Sequence, residues 1–336
     1  SIAENWLLAS LWAIGFDSCF DKEMPFMLDL VTHPAYDIPL PARHRFPATK
    51  FSRLMTVMKR DGVLDGFTQH QPKPASQADL MAVHCPHYIN RVASGTLPEE
   101  ALRVLGLKWS DVLRNRSFLA PNGTLETARL ALTSGLACHA AGGTHHAHYA
   151  YGAGYCVFND LAYAARRLVD EGAARQVLIF DCDVHQGDGT ARMLSGDDRI
   201  FTCSLHCRTN YPARRAVSDL DIEIEKGTGD DGYLAVLADT LATLSGPVAS
   251  KHYGLRPDLV LYDAGVDVHN DDKLGHLKLS HDGIRLRDEM VIRHFRDQGC
   301  AVATVIGGGY GTDIDEVAMR HSLIFRAALA VENVAG

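Results

Sequence analysis

The sequence has no CxxC pair, no block of basic residues, no low-complexity linker and no apolar run long enough to span a bilayer. Each absence excludes something. Eight cysteines without CxxC spacing, set among apolar neighbours as at Cys156, Cys182 and Cys203, read as reduced, buried thiols of a cytoplasmic protein, not as a disulfide framework. A formal net charge of −8, with Arg214-Arg215 the nearest thing to a basic cluster, argues against a nucleic-acid surface. Trp6–Ile14 is too short to cross a membrane and has no Lys or Arg before it, so it fits neither a membrane span nor a signal peptide. Gly152-Ala153-Gly154 lacks the third glycine of a dinucleotide fingerprint, and no GxxxxGK[ST] loop occurs, which leaves nucleotide cofactors unsupported. Met24 is a candidate start, which sets residues 1–23 apart as an N-terminal extension of unknown role and residues 24–336 as a single domain.

What is present is an ordinary globular composition, 46% hydrophobic and 22% charged, patterned as alternating strands and helices. Strands are expected at 27–31, 177–180, 200–204, 259–262 and 301–306. Helical spacing marks 50–60, 77–93, a short helix opened by Pro98, 160–170, 231–244, 282–296 with Ser280 as cap, and 315–331. Thr124 is read as the cap of a helix carrying Leu125, Ala128, Leu132 and Leu136 and running to Ala140. Repeated strand-helix units predict an α/β fold, a three-layer α/β/α arrangement around a central, mostly parallel sheet.

Val177-Leu178-Ile179-Phe180 organises the rest. This buried strand runs into Asp181-Cys182-Asp183-Val184-His185-Gln186-Gly187-Asp188, and open α/β sheets bind ligands at the carboxyl ends of their strands. Asp183 and His185, two apart, leave extended backbone on the same side. One carboxylate and one imidazole aimed together make half of a catalytic zinc site, which needs a third ligand and an open position. A strand-to-helix loop with one capping acid would explain Asp188, but not three acids around a histidine. The third ligand is expected after Leu259–Tyr262, where Asp263, Asp267, Asp271 and Asp272 are all candidates and Asp267, past a glycine turn, is the first choice. His145 and His146, with His148 near them, follow Gly142-Gly143. They would be a histidine-rich surface loop, except that Asp181 and Asp188 are spare acids able to orient one imidazole each, as acid-base chemistry requires. Gly307-Gly308-Gly309-Tyr310-Gly311 lets backbone approach a ligand and offers a hydroxyl to a developing oxyanion; taken alone, it is a glycine turn with a surface tyrosine.

Gly142–Ala147, Gly154-Tyr155-Cys156-Val157-Phe158-Asn159-Asp160, Asp181–Gly189 and Gly308-Gly309-Tyr310 together resemble the zinc-dependent histone deacetylase family and its arginase-deacetylase fold. Tyr36–Pro41, Gly227–Leu234 and Asp272–Leu277 are similar to its class IV branch and bacterial relatives. The resemblance runs in order from about Leu28 to Val331. It implies Asp183, His185 and Asp267 as zinc ligands, and His145 paired with Asp181 and His146 with Asp188. It also implies Tyr310 on the substrate carbonyl and a narrow acyl-lysine channel at Gly154, walled by Tyr155 and Tyr211, with Leu274 near its rim. A structural potassium ion is implied at Asp181, Asp183, His185, Ser204 and Leu205, partly through backbone carbonyls. Two departures stand out: Cys85 replaces an aspartate many relatives carry, and Tyr155 and Tyr211 replace phenylalanines common in class I enzymes.

The resulting expectation is a deacetylase catalytic domain that hydrolyses acyl-lysine in proteins or peptides. An acylpolyamine amidohydrolase, acting on another acylated amine, is the alternative. The paired-metal signatures of a ureohydrolase are absent, and a catalytically silent acyl-lysine binding module fits poorly with an intact set of chemical residues.

Overall fold

A computed structural model describes residues 27–41, 43–245 and 257–335. The extension read at residues 1–23, with Met24, lies outside the described residues. Eight described strands form one sheet: β1 (Leu28–Val31), β2 (Phe67–His70), β3 (Leu136–His139) and β4 (Val177–Asp181), then β5 (Ile200–Cys207), β6 (Leu220–Ile224), β7 (Leu259–Asp263) and β8 (Ala301–Val305). Their order is β2-β1-β3-β8-β7-β4-β5-β6, and every neighbouring pair is parallel. The expected sheet is therefore present, and wholly parallel.

Before the site-bearing strands come α1 (Lys50–Arg60), α2 (Gln77–Leu80), α3 (Pro86–Ser94), α4 (Glu99–Leu105) and α5 (Asp111–Ser134). They are followed by α6 (Asp160–Asp170), α7 (Asp188–Leu194), α8 (Asp230–Ser245), α9 (His281–Asp297) and α10 (Ile314–Ala335). Helices α5, α6 and α7 pack in series over one face, while α1, α10, α9 and α8 pack in series over the other. This gives three layers, α/β/α. Strands buried on both faces need continuous apolar sequence, and Val177–Phe180 and Leu259–Tyr262 supply it, at 0–1% exposure.

Four local readings change. The helix expected at 77–93 is two, α2 and α3, because Pro86 opens a new helix at its first position with Cys85 before it. The helix expected to begin at Thr124 begins at Asp111, capped by the Ser110 hydroxyl, and Thr124 lies in its middle. Pro121-Asn122-Gly123 reads as a break, yet Leu119, Ala120, Pro121 and Leu125 are buried, and that packing carries the helix through. The same helix ends at Ser134, and Leu136–His139, read as its tail, is the central strand β3. Strands β2 and β6 were not expected; both are short edge strands of the sheet, β2 mostly polar and β6 alternating apolar and acidic residues.

Strands β3, β8, β7 and β4 are neighbours at the centre of the sheet. Their carboxyl ends lead into the loops that hold His145 and His146, Tyr310, Asp267, and Asp183 and His185. Residues separated by up to 165 positions in sequence (310 − 145) therefore meet at one edge.

Candidate active site

Asp183, His185 and Asp267 come together at the ends of β4 and β7, all buried, with their ligand atoms within 4.8 Å of one another. His185 Nδ1 lies 2.9 Å from Asp183 Oδ1 and 3.0 Å from Asp267 Oδ2. Backbone amides hold the carboxylates: Gly308 N–H donates to Asp183 Oδ2 at 2.6 Å, and Val184 N–H to Asp267 Oδ1 at 2.9 Å. A β-carbon at Gly308 would lie 2.2 Å from Asp267 Oδ2, so only glycine allows the turn to come this close. Arg287 of α9, fully buried and ion-paired with Asp288, donates to the carbonyl of Gly265 at 2.7 Å and steadies the loop that carries Asp267.

The cluster fits a divalent cation. Burial alone would lower the His185 pKa, but the Asp183 and Asp267 carboxylates raise it to about 10. Burial and the neighbouring Asp183 push Asp267 up to about 7. The site thus draws a positive charge between its donors, as a proton on His185 or as a metal ion. Two oxygens and one imidazole nitrogen suit zinc and related divalent ions. Asn210 lies behind His185, its Nδ2 3.4 Å from His185 Nε2 and 2.8 Å from the Leu274 carbonyl. Such outer partners fix the orientation of a ligating imidazole.

His145 and His146 are buried, and so is His148, so these residues form no surface loop. His145 Nδ1 meets Asp181 Oδ2 at 2.7 Å, and His146 Nδ1 meets Asp188 Oδ1 at 2.8 Å. Asp188 is the first residue of α7, and its other oxygen takes His148 Nε2 at 3.2 Å. Burial opposes charge on both rings. At His145 the carboxylates of Asp181 and Asp183 overcome it and hold the pKa well above the ordinary value. At His146 burial and the charge of His145 prevail over Asp188, and the pKa falls to about 3.

The turn carrying these histidines is held from below. Asp160 accepts from the Thr144 amide at 2.7 Å, the Gly143 amide at 3.2 Å and the Thr124 hydroxyl at 2.6 Å. Asn159 Nδ2 donates to the carbonyls of His145 and Ala147. His146, His185, Gly154, Tyr155, Tyr211, Leu274 and Tyr310 line a channel of about 410 Å³ that opens to solvent. The Tyr211 ring meets His146 edge-on at 4.8 Å. Tyr155 sits at φ +68°, where a non-glycine residue is uncommon. A β-carbon on Gly154 before it would lie 2.6 Å from the His146 ring. The Tyr310 ring stands over His185 and Tyr155, and its amide donates to Asp272 Oδ2 at 2.7 Å.

Of the four candidate third ligands, only Asp267 joins Asp183 and His185 in one such cluster. Asp272 instead accepts the amides of Leu274, Gly275 and Tyr310, and so shapes the channel rim. Asp271 is exposed. Asp263 ends β7 fully buried, with neither carboxylate oxygen hydrogen-bonded and Oδ2 3.9 Å from His145 Nδ1. Ser204 is in register with Asp181 on the neighbouring strand, and Ser204 and Leu205 are buried. The sequence reading missed Asn210 and the anchoring part of Asp160, took Thr124 for a helix cap and counted Asp263 only as a candidate ligand. Only Asn159-Asp160 carried a signal, as part of a motif.

A wholly parallel α/β/α sheet with buried imidazole-carboxylate pairs beside a cation-ready cluster defines a hydrolase active site. The Histone deacetylase domain matches residues 44–324. The chain is 45% identical over 299 residues to an uncharacterized protein of Picosynechococcus sp., covering 89% of this chain and 97% of that one. It is 31% identical over 296 residues to Histone deacetylase 2 of Arabidopsis thaliana, covering 84% and 74%. Against the acetoin utilization protein AcuC of Bacillus subtilis the identity is 29% over 274 residues, covering 74% and 68%. This chain belongs to the histone deacetylase family, and is a deacetylase-type amidohydrolase.

Proposed function

We propose that the chain is a zinc-dependent amidohydrolase that removes acyl groups from the ε-amine of lysine. The observation that carries this reading is the meeting, at the inner end of one channel, of Asp183, His185 and Asp267 with the His146–Asp188 pair and Tyr310. Asp183, His185 and Asp267 would hold the zinc ion, which when bound polarises an amide carbonyl and lowers the pKa of water. His146, its Nδ1 committed to Asp188 and its ring neutral, accepts the proton of the attacking water and returns it to the departing amine. His145, paired with Asp181, supports the charge that develops beside it. Burial and the nearby Asp267 and Asp183 keep the Tyr310 hydroxyl protonated, a donor for the tetrahedral oxyanion. Gly154, Tyr155, Tyr211 and Leu274 form the passage for the acylated side chain.

Supporting features extend beyond the reaction. The register of Asp181 with Ser204, both buried like Leu205, supports the structural potassium site proposed at Asp181, Asp183, His185, Ser204 and Leu205, partly through backbone carbonyls. The single sheet from Leu28 to Val305 supports one catalytic domain over residues 24–336. Seven described cysteines are free, in keeping with a cytoplasmic protein, and no described helix is long and apolar enough to cross a membrane. The Arabidopsis relative, a histone deacetylase, supports lysine as the acyl carrier.

The test is Asp267→Ala. Metal analysis should find zinc lost, with hydrolysis of an acetyl-lysine peptide lost in parallel. Full occupancy with full activity would remove Asp267 from the site.

A further inference from the structure

The mouth of the channel is charged against the sign of the molecule. Beside the channel lies a second cleft of about 550 Å³, lined by Arg43, Arg45, Lys273, Leu274, Tyr310 and neighbouring residues. Arg45, Leu274 and Tyr310 belong to both hollows, and Arg103 lines the channel side. No Asp or Glu among the described residues lines either one, although the chain carries a net charge of −8.

The arrangement is built, not incidental. Along 43–46 exposure alternates: Arg43 and Arg45 face solvent, while His44 and Phe46 turn inward. His44 Nε2 contacts the Gly106 carbonyl at 3.1 Å, and the Phe46 ring packs on Tyr155 at 5.4 Å. Arg45 is therefore held by its neighbours at the wall shared by the two hollows, and Arg43 at the wall of the cleft. Among the described residues Arg43, Arg45 and Lys273 form no ion pair. Arg103 has only the exposed Glu100, at 4.0 Å, a contact of little worth in water. Asp271 is exposed, while Asp272, Asp313 and Asp315 are engaged elsewhere. Asp272 takes three amides, Asp315 pairs with Arg53, and Asp313 accepts the amides that open α10.

We propose that the acylated lysine is presented on an acidic polypeptide segment, whose carboxylates pair with Arg43, Arg45, Arg103 and Lys273 while the lysine enters between them. The proposal rests on the acyl-lysine reading above and narrows its substrate. An acylated polyamine keeps its remaining ammonium groups, which this rim would repel. A bare acyl-amine needs only the channel, whereas an extended chain, advancing about 3.3 Å per residue, would occupy the continuous trough across the mouth.

The experiment uses three acetyl-lysine peptides of one length, flanked by Asp and Glu, by neutral residues, or by Lys and Arg, together with an N-acetylated diamine. Binding is read by fluorescence anisotropy on the metal-free chain, and kcat/KM on the zinc-loaded chain. The acidic peptide is expected to exceed the neutral one by about tenfold in both, and the neutral one to exceed the basic one. The gap should close as salt rises from about 50 mM to about 500 mM. Arg43→Gln with Lys273→Gln should bring the acidic peptide down toward the neutral one. Equal binding and turnover of all three peptides would overturn this proposal and leave the acyl-lysine activity standing. Turnover of the acetylated diamine alone would overturn both.

Discussion

His145 and His146 share a side chain, a turn and a depth of burial, yet their surroundings drive them apart. His145 stands among the carboxylates of Asp181, Asp183 and Asp263, which hold it charged against its burial; at His146 burial, with the charge of His145 beside it, holds the ring neutral. A neutral ring is the one that can accept a proton. His146→Ala should therefore lose on the order of 10²–10⁴ in rate, and His145→Ala less, in single-turnover hydrolysis of an acetyl-lysine peptide. Equal activity of both variants and wild type would take the pair out of the chemistry. Tyr310→Phe deletes one hydroxyl and keeps the ring over His185. Losing an oxyanion donor costs about 10²–10³, falling on kcat more than on KM. A kcat within a few-fold of wild type would mean that Tyr310 only packs. At this scale the sequence showed which residue types mattered, because Asp183-x-His185 and the His145-His146 pair carry their chemistry in their spacing. It could not sort Asp263 from Asp267, Asp271 and Asp272, since that depends on where a loop turns after β7.

At the scale of elements, the reading failed where tertiary contacts overrule local signals. Pro121-Asn122-Gly123 punctuates the sequence as a break, and Thr124 after it looks like a cap. Within α5 that threonine faces inward and donates to Asp160, which in turn holds the Gly143 and Thr144 amides under His145. A capping threonine would serve its helix alone; this one joins a helix to the turn that carries His145 and His146. Thr124→Val keeps the shape and removes the donor, which should destabilise the fold by roughly 1–3 kcal/mol. Urea unfolding would measure that loss, and kcat should fall with it because the His145 turn loosens. Thr124→Ser should restore both. Unchanged stability and kcat in Thr124→Val would show that the Asp160 network stands without it. Strand β3 was misread for a related reason: Leu136–His139 has three apolar or small residues before its histidine, directly after a helical pattern, and periodicity over so short a run cannot tell strand from helix.

Over the whole molecule, the buried strands other than β3 were legible because a sheet covered on both faces demands continuous apolar sequence. The edge strands β2 and β6 make no such demand: β2 is short and mostly polar, and the apolar-acidic alternation of Leu220–Ile224 in β6 is a short strand signal that the reading passed over. The same three-layer burial traps ionisable groups away from the metal cluster, and this sets how stability depends on pH. His84 bridges the His148 carbonyl and the Asn159 amide, and burial lowers its pKa to about 4. His139 lies between Tyr36 and Thr124, and burial lowers it to about 3. In the unfolded chain both titrate near 6.5. Between that value and their folded values the unfolded state binds more protons, so stability rises with pH across the interval. The contribution of the neutral rings is whole above about pH 6.5 and is lost as pH falls toward 4 and then 3. Each histidine adds a slope of roughly 1 kcal/mol per pH unit through the steep part of the window. Urea midpoints of the metal-free chain, compared at about pH 7, 5.5 and 4.5, should therefore fall. Replacing His84 by Gln, which can still accept and donate, should lower overall stability but flatten the fall by one proton. If the slope is the same in wild type and His84→Gln, His84 is not held neutral in the folded chain, and the acid sensitivity arises elsewhere.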